Sequence, residues 1–289
     1  MYDIFVINLD AQKSRWAFMQ AQLQALGLTP HRLPAVNGYD PATRRRAGVA
    51  SFAPLPSGEV GCFESHRSAW ARIVQDDLPG AFILEDDVVV ASDFGRLDLP
   101  ADLLARTDII KLDMCDWPAA YGPAIHQPAP TRELRPLWGS ETSAGCYFMT
   151  RRGAEKMLRH GRAYFLPVDT LMFDLSSKAF YDLATLKILP AAAAQMRFVL
   201  PKEELAEEIA DGMQEKRRLM RDPRPVMTPI RRARLYLRRL LDWDFRTIRD
   251  RRQRRFQTRN GAPRRTGKIA FQTPDRAHID IAMPALERR

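Results

Sequence analysis

The sequence predicts an α/β protein: an open sheet with flanking helices, followed by a basic, mostly helical C-terminal extension. Three observations carry this. Short β-branched and apolar runs alternate with stretches of helical apolar spacing. Turn-forming residues punctuate them. Charge also divides the chain: residues 1–200 hold 21 Lys and Arg against 22 Asp and Glu, whereas residues 201–289 hold 24 against 13. The net charge of +10 belongs to the C-terminal part, so 1–200 is read as one domain and 201–289 as a helical or partly disordered extension.

The elements follow in order. Ile4–Leu9 reads as a buried strand closed by Asp10. Ser14 is placed as the N-cap of a helix in which Trp16, Met19, Leu23 and Leu26 repeat at helical spacing, and Gly27 stops it. Arg32–Val36 is a second strand ending at the Asn37–Gly38 turn, which completes a βαβ opening. Arg44–Ser57 is expected to be a loop. Glu59 begins a helix whose face of Cys62, His66, Ala69, Trp70 and Ile73 is spaced for burial against the sheet. Ala81–Leu84 is a strand running into Glu85–Asp86–Asp87, and Val88–Val90 continues it. Ile109–Leu112 and Thr142–Thr150 are further strands, and Gly153–Leu158 a short helix. Residues 116–141, with five prolines and little periodicity, are read as a long irregular stretch. Glu203–Leu219 reads as a helix, acidic early and basic late.

Composition excludes several classes. With 45% hydrophobic and 28% charged residues, the chain is neither disordered nor collagen-like. Three scattered cysteines, Cys62, Cys115 and Cys146, form no CxxC pair, which argues against a disulfide framework and for a reducing compartment. No run of about 18 apolar residues is present, as a bilayer-spanning helix needs. Met1–Asp10 is too short and acidic for a signal peptide, so the expected location is cytoplasmic.

The strongest chemical signal is the carboxylate triplet after an apolar strand. Three adjacent acids repel unless a cation sits among them, and carboxylate oxygens suit Mg²⁺ or Mn²⁺. Ligands of open α/β sheets bind at the carboxyl ends of strands, where a metal could bridge a nucleotide diphosphate. The competing reading is a solvated acidic turn. Ser65 and His66 lie beside Gly61–Cys62 on the next helix; they serve a phosphate or metal, or are buried hydrogen-bonding groups. Asp169, in Pro167–Val168–Asp169, could accept a proton from a substrate hydroxyl, or simply cap a helix. Asn8, Arg15 and Asn37 stand near the ends of the first strands, positions that meet nucleotides but also serve turns and caps.

Taken together and in this order, the segments Val6–Asp10 with Arg15, Ala35–Gly38, Gly61–Cys62 with Ser65–His66, Ala81–Val88, Ile110–Leu112, Thr142–Tyr147 and Pro167–Asp169 resemble glycosyltransferase family 25. The resemblance implies a GT-A-like nucleotide-binding sheet, a UDP-sugar donor (most often UDP-galactose) and inversion at the anomeric carbon. It also implies a divalent metal, usually Mn²⁺ with Mg²⁺ the alternative. On these residues it implies Glu85 and Asp87 as metal ligands. Asp86 would face the ribose or donor sugar, and Lys111 or His66 would neutralise the diphosphate. Asp169 would be the general base, with Glu141 the second choice. The acceptor would be a glycan or lipid-linked glycan, of lipopolysaccharide or another surface glycan.

The arginine-dense segment 229–256 carries an apolar stripe of Ile230, Leu237, Leu241, Trp243 and Ile248. That pattern suits an anionic membrane surface, which would make the protein peripheral on the inner face of the cytoplasmic membrane. Nucleic-acid binding is the weaker reading, because no recognition motif accompanies the arginines and the upstream domain is not basic. The alternative for the whole chain is a nucleic-acid or membrane-binding protein with an inactive glycosyltransferase-like domain.

Overall fold

The computed structural model describes residues 2–49, 55–114, 119–200, 265–267 and 277–287. The segment 229–256 and the helix expected over Glu203–Leu219 lie outside the described residues.

The chain builds an eight-stranded mixed sheet. Its strands are β1 (Asp3–Asn8), β2 (Pro30–Pro34), β3 (Gly80–Glu85), β5 (Ile109–Lys111), β7 (His126–Ala129), β8 (Arg132–Pro136), β9 (Cys146–Thr150) and β10 (Thr185–Leu189). They lie in the order β2-β1-β3-β9-β5-β10-β8-β7. β1 runs parallel to β2 and β3, and β5 runs parallel to β10, whereas β9 is antiparallel to both β3 and β5. Two short ribbons flank the sheet: β4 (Val88–Val90) with β11 (Ala193–Gln195), and β6 (Ala119–Tyr121) with β12 (Arg265–Gly267). The expected α/β class, an open sheet with flanking helices, is what the structure has.

The two-residue period of a strand divides the core into two layers. Ile4 and Val6 of β1, with Phe82 and Leu84 of β3, pack on one face against Phe18, Met19 and Leu23 of α1 (Lys13–Ala25). Phe5, Ile7, Ala81 and Ile83 pack on the other against Val60, Phe63, Trp70 and Ile73 of α3 (Ser57–Gln75). On α1, Gln22 is fully buried and does what a neighbouring strand would do. Its Nε2 donates to Val88 O (2.7 Å) and its Oε1 accepts from Val90 N (3.1 Å), pairing backbone groups of β4.

Several expected boundaries move. Arg44–Arg46 belong to α2 (Pro41–Arg46), because Asp40 caps it by accepting from Ala42 N and Thr43 N and Pro41 stands in its first turn. The cap of α1 is Gln12, with no side-chain hydrogen bond, and not Ser14. Residues 116–141 include β6 and the β7–β8 hairpin; Pro128 is tolerated because β7 is an edge strand. Thr142–Gly145 precede β9 instead of belonging to it. Among the described residues before 200, the remaining α-helices are α4 (Ala101–Leu104), α5 (Arg151–His160), α6 (Val168–Phe173), α7 (Lys178–Asp182) and α8 (Met196–Val199). Near the end of the chain, α9 (Ala277–Ala282) and α10 (Pro284–Glu287) pack against α1, and Ile279 and Ala282 join the core layer beneath it. Among the described residues no helix is long and apolar enough to cross a membrane.

Candidate functional site

The carboxyl ends of β1 and β3 lie side by side, with Ile7 opposite Glu85, so Asn8 and the acidic triplet emerge at one edge of the sheet. β9 is antiparallel and enters at that edge, which brings the loop before Cys146 to the same place; Gly145 O accepts from Glu85 N at 2.8 Å.

The three carboxylates meet three different environments. Asp86 accepts from Asn8 Nδ2 (2.7 Å) and pairs with Arg15 Nη1 (3.4 Å), while Arg32 Nε holds Asn8 Oδ1 at 2.8 Å. Burial still lifts the Asp86 carboxyl above its ordinary range, against the pull of Arg15 and Asn8. Glu85 turns the other way: Oε1 lies 3.3 Å from His66 Nε2 and 3.8 Å from Cys62 Sγ, and Oε2 accepts from Gln195 Nε2 at 3.4 Å. Burial works against its ionised form, but His66, Cys62 and Gln195 hold it below the usual range. At Asp87 the charges of Arg15 and Arg197 pull the carboxyl down, but not enough to offset its surroundings. Its Oδ1 is buried without a hydrogen-bond partner, and burial, then the charges of Glu85 and Asp86, push the carboxyl up to about 7. An orphaned carboxylate oxygen beside two further acids is a chemically sound seat for a hard cation, since a cation would supply the missing partner and cancel the repulsion. Glu85 and Asp87 therefore fit the divalent metal that the resemblance implies.

Behind Glu85 runs a buried chain of polar side chains. Trp70 Nε1 donates to Tyr147 OH at 2.9 Å, and that hydroxyl lies 2.8 Å from His66 Nδ1. His66 is thereby fixed with Nε2 aimed at Glu85. Burial pushes the Tyr147 phenol well above its ordinary range, so it stays a neutral hydroxyl.

Asp169, in the first turn of α6, is half-buried on the same side of the sheet. Its Oδ2 accepts from Ser143 N (3.1 Å) and its Oδ1 from Thr170 N (2.6 Å). Ser143 sits at φ 106, a left-handed conformation a non-glycine residue seldom adopts. The neighbourhood over-determines it: Oγ donates to Asp113 Oδ2 (2.5 Å) and its carbonyl accepts from Lys111 Nζ (2.6 Å).

Other expected site residues serve the scaffold. Ser65 Oγ accepts from Val36 N (2.8 Å) and donates to Gly61 O (2.7 Å), stitching α3 to the segment after β2. Gly38 and Gly61 let those backbones touch: a Cβ on Gly61 would meet Val36 O at 2.6 Å and Gly38 N at 2.8 Å. Asn37 is exposed and accepts from Tyr39 N, an Asx turn. Lys111 is fully buried, paired with Asp113 at 2.6 Å, and lies 4.6 Å from the centroid of the Phe173 ring. Glu141 is fully buried, paired with Lys187 at 2.7 Å and hydrogen-bonded by Tyr121 OH at 3.1 Å. Lys187 also reaches Asp113 O, so these four charges form one closed cluster under the site.

Sequence reasoning missed Glu59, Cys62, Tyr147 and Gln195. Glu59, in the first turn of α3, is raised by burial and by the charges of Asp169 and Glu85. Cys62 belongs to the apolar helical face by spacing but is only half-buried, and it turns its sulfur to Glu85. The i,i+4 spacing of Cys62 and His66 is the one signal that could have flagged the pair.

The class the fold defines is an open α/β sheet that sets its acidic motif at the carboxyl end of a central strand, the place where sheets of this kind receive ligands. The family resemblance drawn from the motifs holds, since residues 1–113 match the family model described as glycosyltransferase family 25 (LPS biosynthesis protein). A glycosyltransferase 25 family member of Anopheles gambiae is 34% identical over 96 residues, 29% of this chain and 16% of that protein. The human protein named inactive glycosyltransferase 25 family member 3 is 27% identical over 234 residues, 71% of this chain and 38% of that one. Lipooligosaccharide biosynthesis protein lic2B of Haemophilus influenzae is 24% identical over 162 residues, 52% of this chain and 59% of that protein. The chain thus spans less than two thirds of each of these relatives.

Proposed function

We propose that the protein is a glycosyltransferase that moves a sugar, galactose as the first choice, from a UDP-sugar to a glycan or lipid-linked glycan acceptor, with inversion at the anomeric carbon. The observation that carries the reading is the acidic triplet at the end of β3, split between a nitrogen-bound Asp86, a polar-held Glu85 and an Asp87 whose Oδ1 is buried without a hydrogen-bond partner. It stands within the segment that matches the family.

Glu85 and Asp87 would hold the divalent metal, Mn²⁺ or Mg²⁺, whose chemistry is to stabilise negative charge on the departing diphosphate. Asp86, fixed by Asn8 and Arg15, presents a rigid polar edge suited to the donor's ribose or sugar hydroxyls. Asp169 is the base of this reading. It is half-exposed, and Ser143 N and Thr170 N orient the carboxylate so that it can take the proton of an attacking hydroxyl. Glu141 and Lys111 have buried partners already and are read as supports that hold the Ser143 loop in place. The lipooligosaccharide relative favours a surface-glycan acceptor. The arginine-dense 229–256 segment would keep such an enzyme at the cytoplasmic face of an anionic membrane, which salt-sensitive flotation with anionic vesicles tests.

A UDP-release assay across UDP-sugars, with and without Mn²⁺, tests the chemistry. Metal-dependent release that Asp87→Asn abolishes is expected. Failure to bind or turn over any UDP-sugar would remove the reading and favour the inactive form that one relative's name describes.

A further inference from the structure

Cys62, His66 and Glu85 bring three different metal-ligating atoms together, all within 4.8 Å of one another. We propose that these side chains form a transition-metal site, suited to Zn²⁺, on the opposite side of Glu85 from Asp86 and distinct in chemistry from the hard-cation seat at Asp87.

The argument is geometric. Around a tetrahedral Zn²⁺ with metal–ligand lengths of 2.0–2.3 Å, a nitrogen and an oxygen ligand stand about 3.3 Å apart, and a sulfur and an oxygen about 3.5 Å apart. Here His66 Nε2 is 3.3 Å and Cys62 Sγ 3.8 Å from Glu85 Oε1. The first spacing is already that of a bound site, the second needs a shift of a few tenths of an ångström, and the remaining pair, Cys62 Sγ and His66 Nε2, lies within 4.8 Å and closes by up to about 1 Å to reach the roughly 3.6 Å of a tetrahedral site. Cys62 and His66 are one helical turn apart on α3, so a single rigid element presents both. The other ring nitrogen of His66 lies against Tyr147 OH at 2.8 Å, which can accept from Nδ1–H when Nε2 carries a metal. Such an outer partner is what metal-binding imidazoles use to fix ring orientation. Cys62 and Glu85 are half-buried, which leaves a path for an ion, and Glu59 and Asp169 add negative charge nearby.

The donor set also selects the metal. Thiolate and imidazole favour Zn²⁺ over Mn²⁺ or Mg²⁺, which prefer all-oxygen sites. Three protein ligands leave a fourth position open, as in zinc sites that bind water or a substrate. Binding takes the Cys62 proton into solvent, and thiolate, carboxylate and Zn²⁺ together are neutral. Because Glu85 serves both sites, this inference rests partly on the acidic motif of the proposed function, although not on sugar transfer.

The test is titration of the full metal-free chain with Co²⁺ as a coloured stand-in, followed by competition with Zn²⁺. A thiolate-to-cobalt charge-transfer band saturating at one equivalent, displaced by Zn²⁺ and lost in Cys62→Ser, is expected. Tyr147→Phe, which removes only the orienting hydroxyl, should weaken Zn²⁺ by about 10–100-fold. Asp87→Asn should retain the band. No band in the folded wild-type chain, or a band that persists in Cys62→Ser, would overturn the assignment. UDP-sugar turnover with Mn²⁺ is scored separately: a chain with the cobalt band but no turnover sinks the transfer reading and leaves this one standing.

Discussion

Replacing Tyr147 by Phe removes one oxygen atom and keeps the ring. Two buried groups depend on that oxygen, Trp70 Nε1 at 2.9 Å and His66 Nδ1 at 2.8 Å, and the three side chains are at most 1% exposed. Water has no route to replace the hydroxyl, so both groups lose their partner inside the core. An unsatisfied buried polar group costs about 1–3 kcal/mol, which puts the loss at about 2–6 kcal/mol for the pair. For a domain of this size each kcal/mol lowers Tm by roughly 2–4 °C, so a fall of at least about 4 °C is expected. Thermal unfolding followed by near-ultraviolet circular dichroism reads this directly, because Trp70 and Tyr147 report on the packed state. A Tm within about 2 °C of wild type would refute the reasoning, since it would mean that neither nitrogen relies on the hydroxyl.

Two further predictions concern the acidic edge and the α3 contact. Asp87 is raised to about 7 by burial and by its acidic neighbours, so its protonated form suits the metal-free fold and its ionised form opposes it. Its destabilising contribution is absent below the unfolded value of about 3.9, grows as pH rises and is complete above about 7. Metal-free Asp87→Asn should therefore be more stable than wild type in urea at pH 8 and indistinguishable from it near pH 3.5; equal stability at pH 8 would contradict the assignment. Gly61→Ala places a Cβ against backbone atoms of Val36 and Gly38 that cannot move as a flexible side chain can. A loss of about 1–3 kcal/mol in denaturant unfolding is expected, and an unchanged midpoint would show that the two segments separate without cost.

Much of this was legible in the sequence, for local reasons. The continuous apolar runs Ile4–Ile7 and Ala81–Leu84 specify strands buried on both faces, and the carboxylates that follow could only emerge at a strand end. The α3 face was right for Ala69, Trp70 and Ile73 because the 3.6-residue period governs them. It misled at Cys62, where the same period conceals a sulfur turned toward Glu85, 23 residues away. Ser65 read as serving a phosphate or metal or as a buried hydrogen-bonding group, and its hydroxyl is occupied by Gly61 O and Val36 N. Gln195 reaches Glu85 across 110 positions, and Lys187, on β10, meets Glu141 in the segment between β8 and β9. No spacing rule announces such pairs, because tertiary pairing creates them. The β7–β8 hairpin was hidden for a different reason: prolines read as breakers, yet Pro128 is harmless on the edge strand β7, Pro130 falls in the turn and Pro136 is the last residue of β8.

The packing of α9 and α10 on α1 changes how the basic region can be studied. Residues 201–264 run between two pieces of one folded body, α8 on one side and β12 with α9 on the other. Cutting the chain after residue 200 would remove more than positive charge: it would uncover the seat of Ile279 and Ala282 on the first helix and take away the strand paired with β6. A protease cut within 201–264, by contrast, need not release the C-terminal piece, which remains held by apolar contact. Charge-neutralising substitutions within the segment are therefore the clean way to ask what its arginines bind.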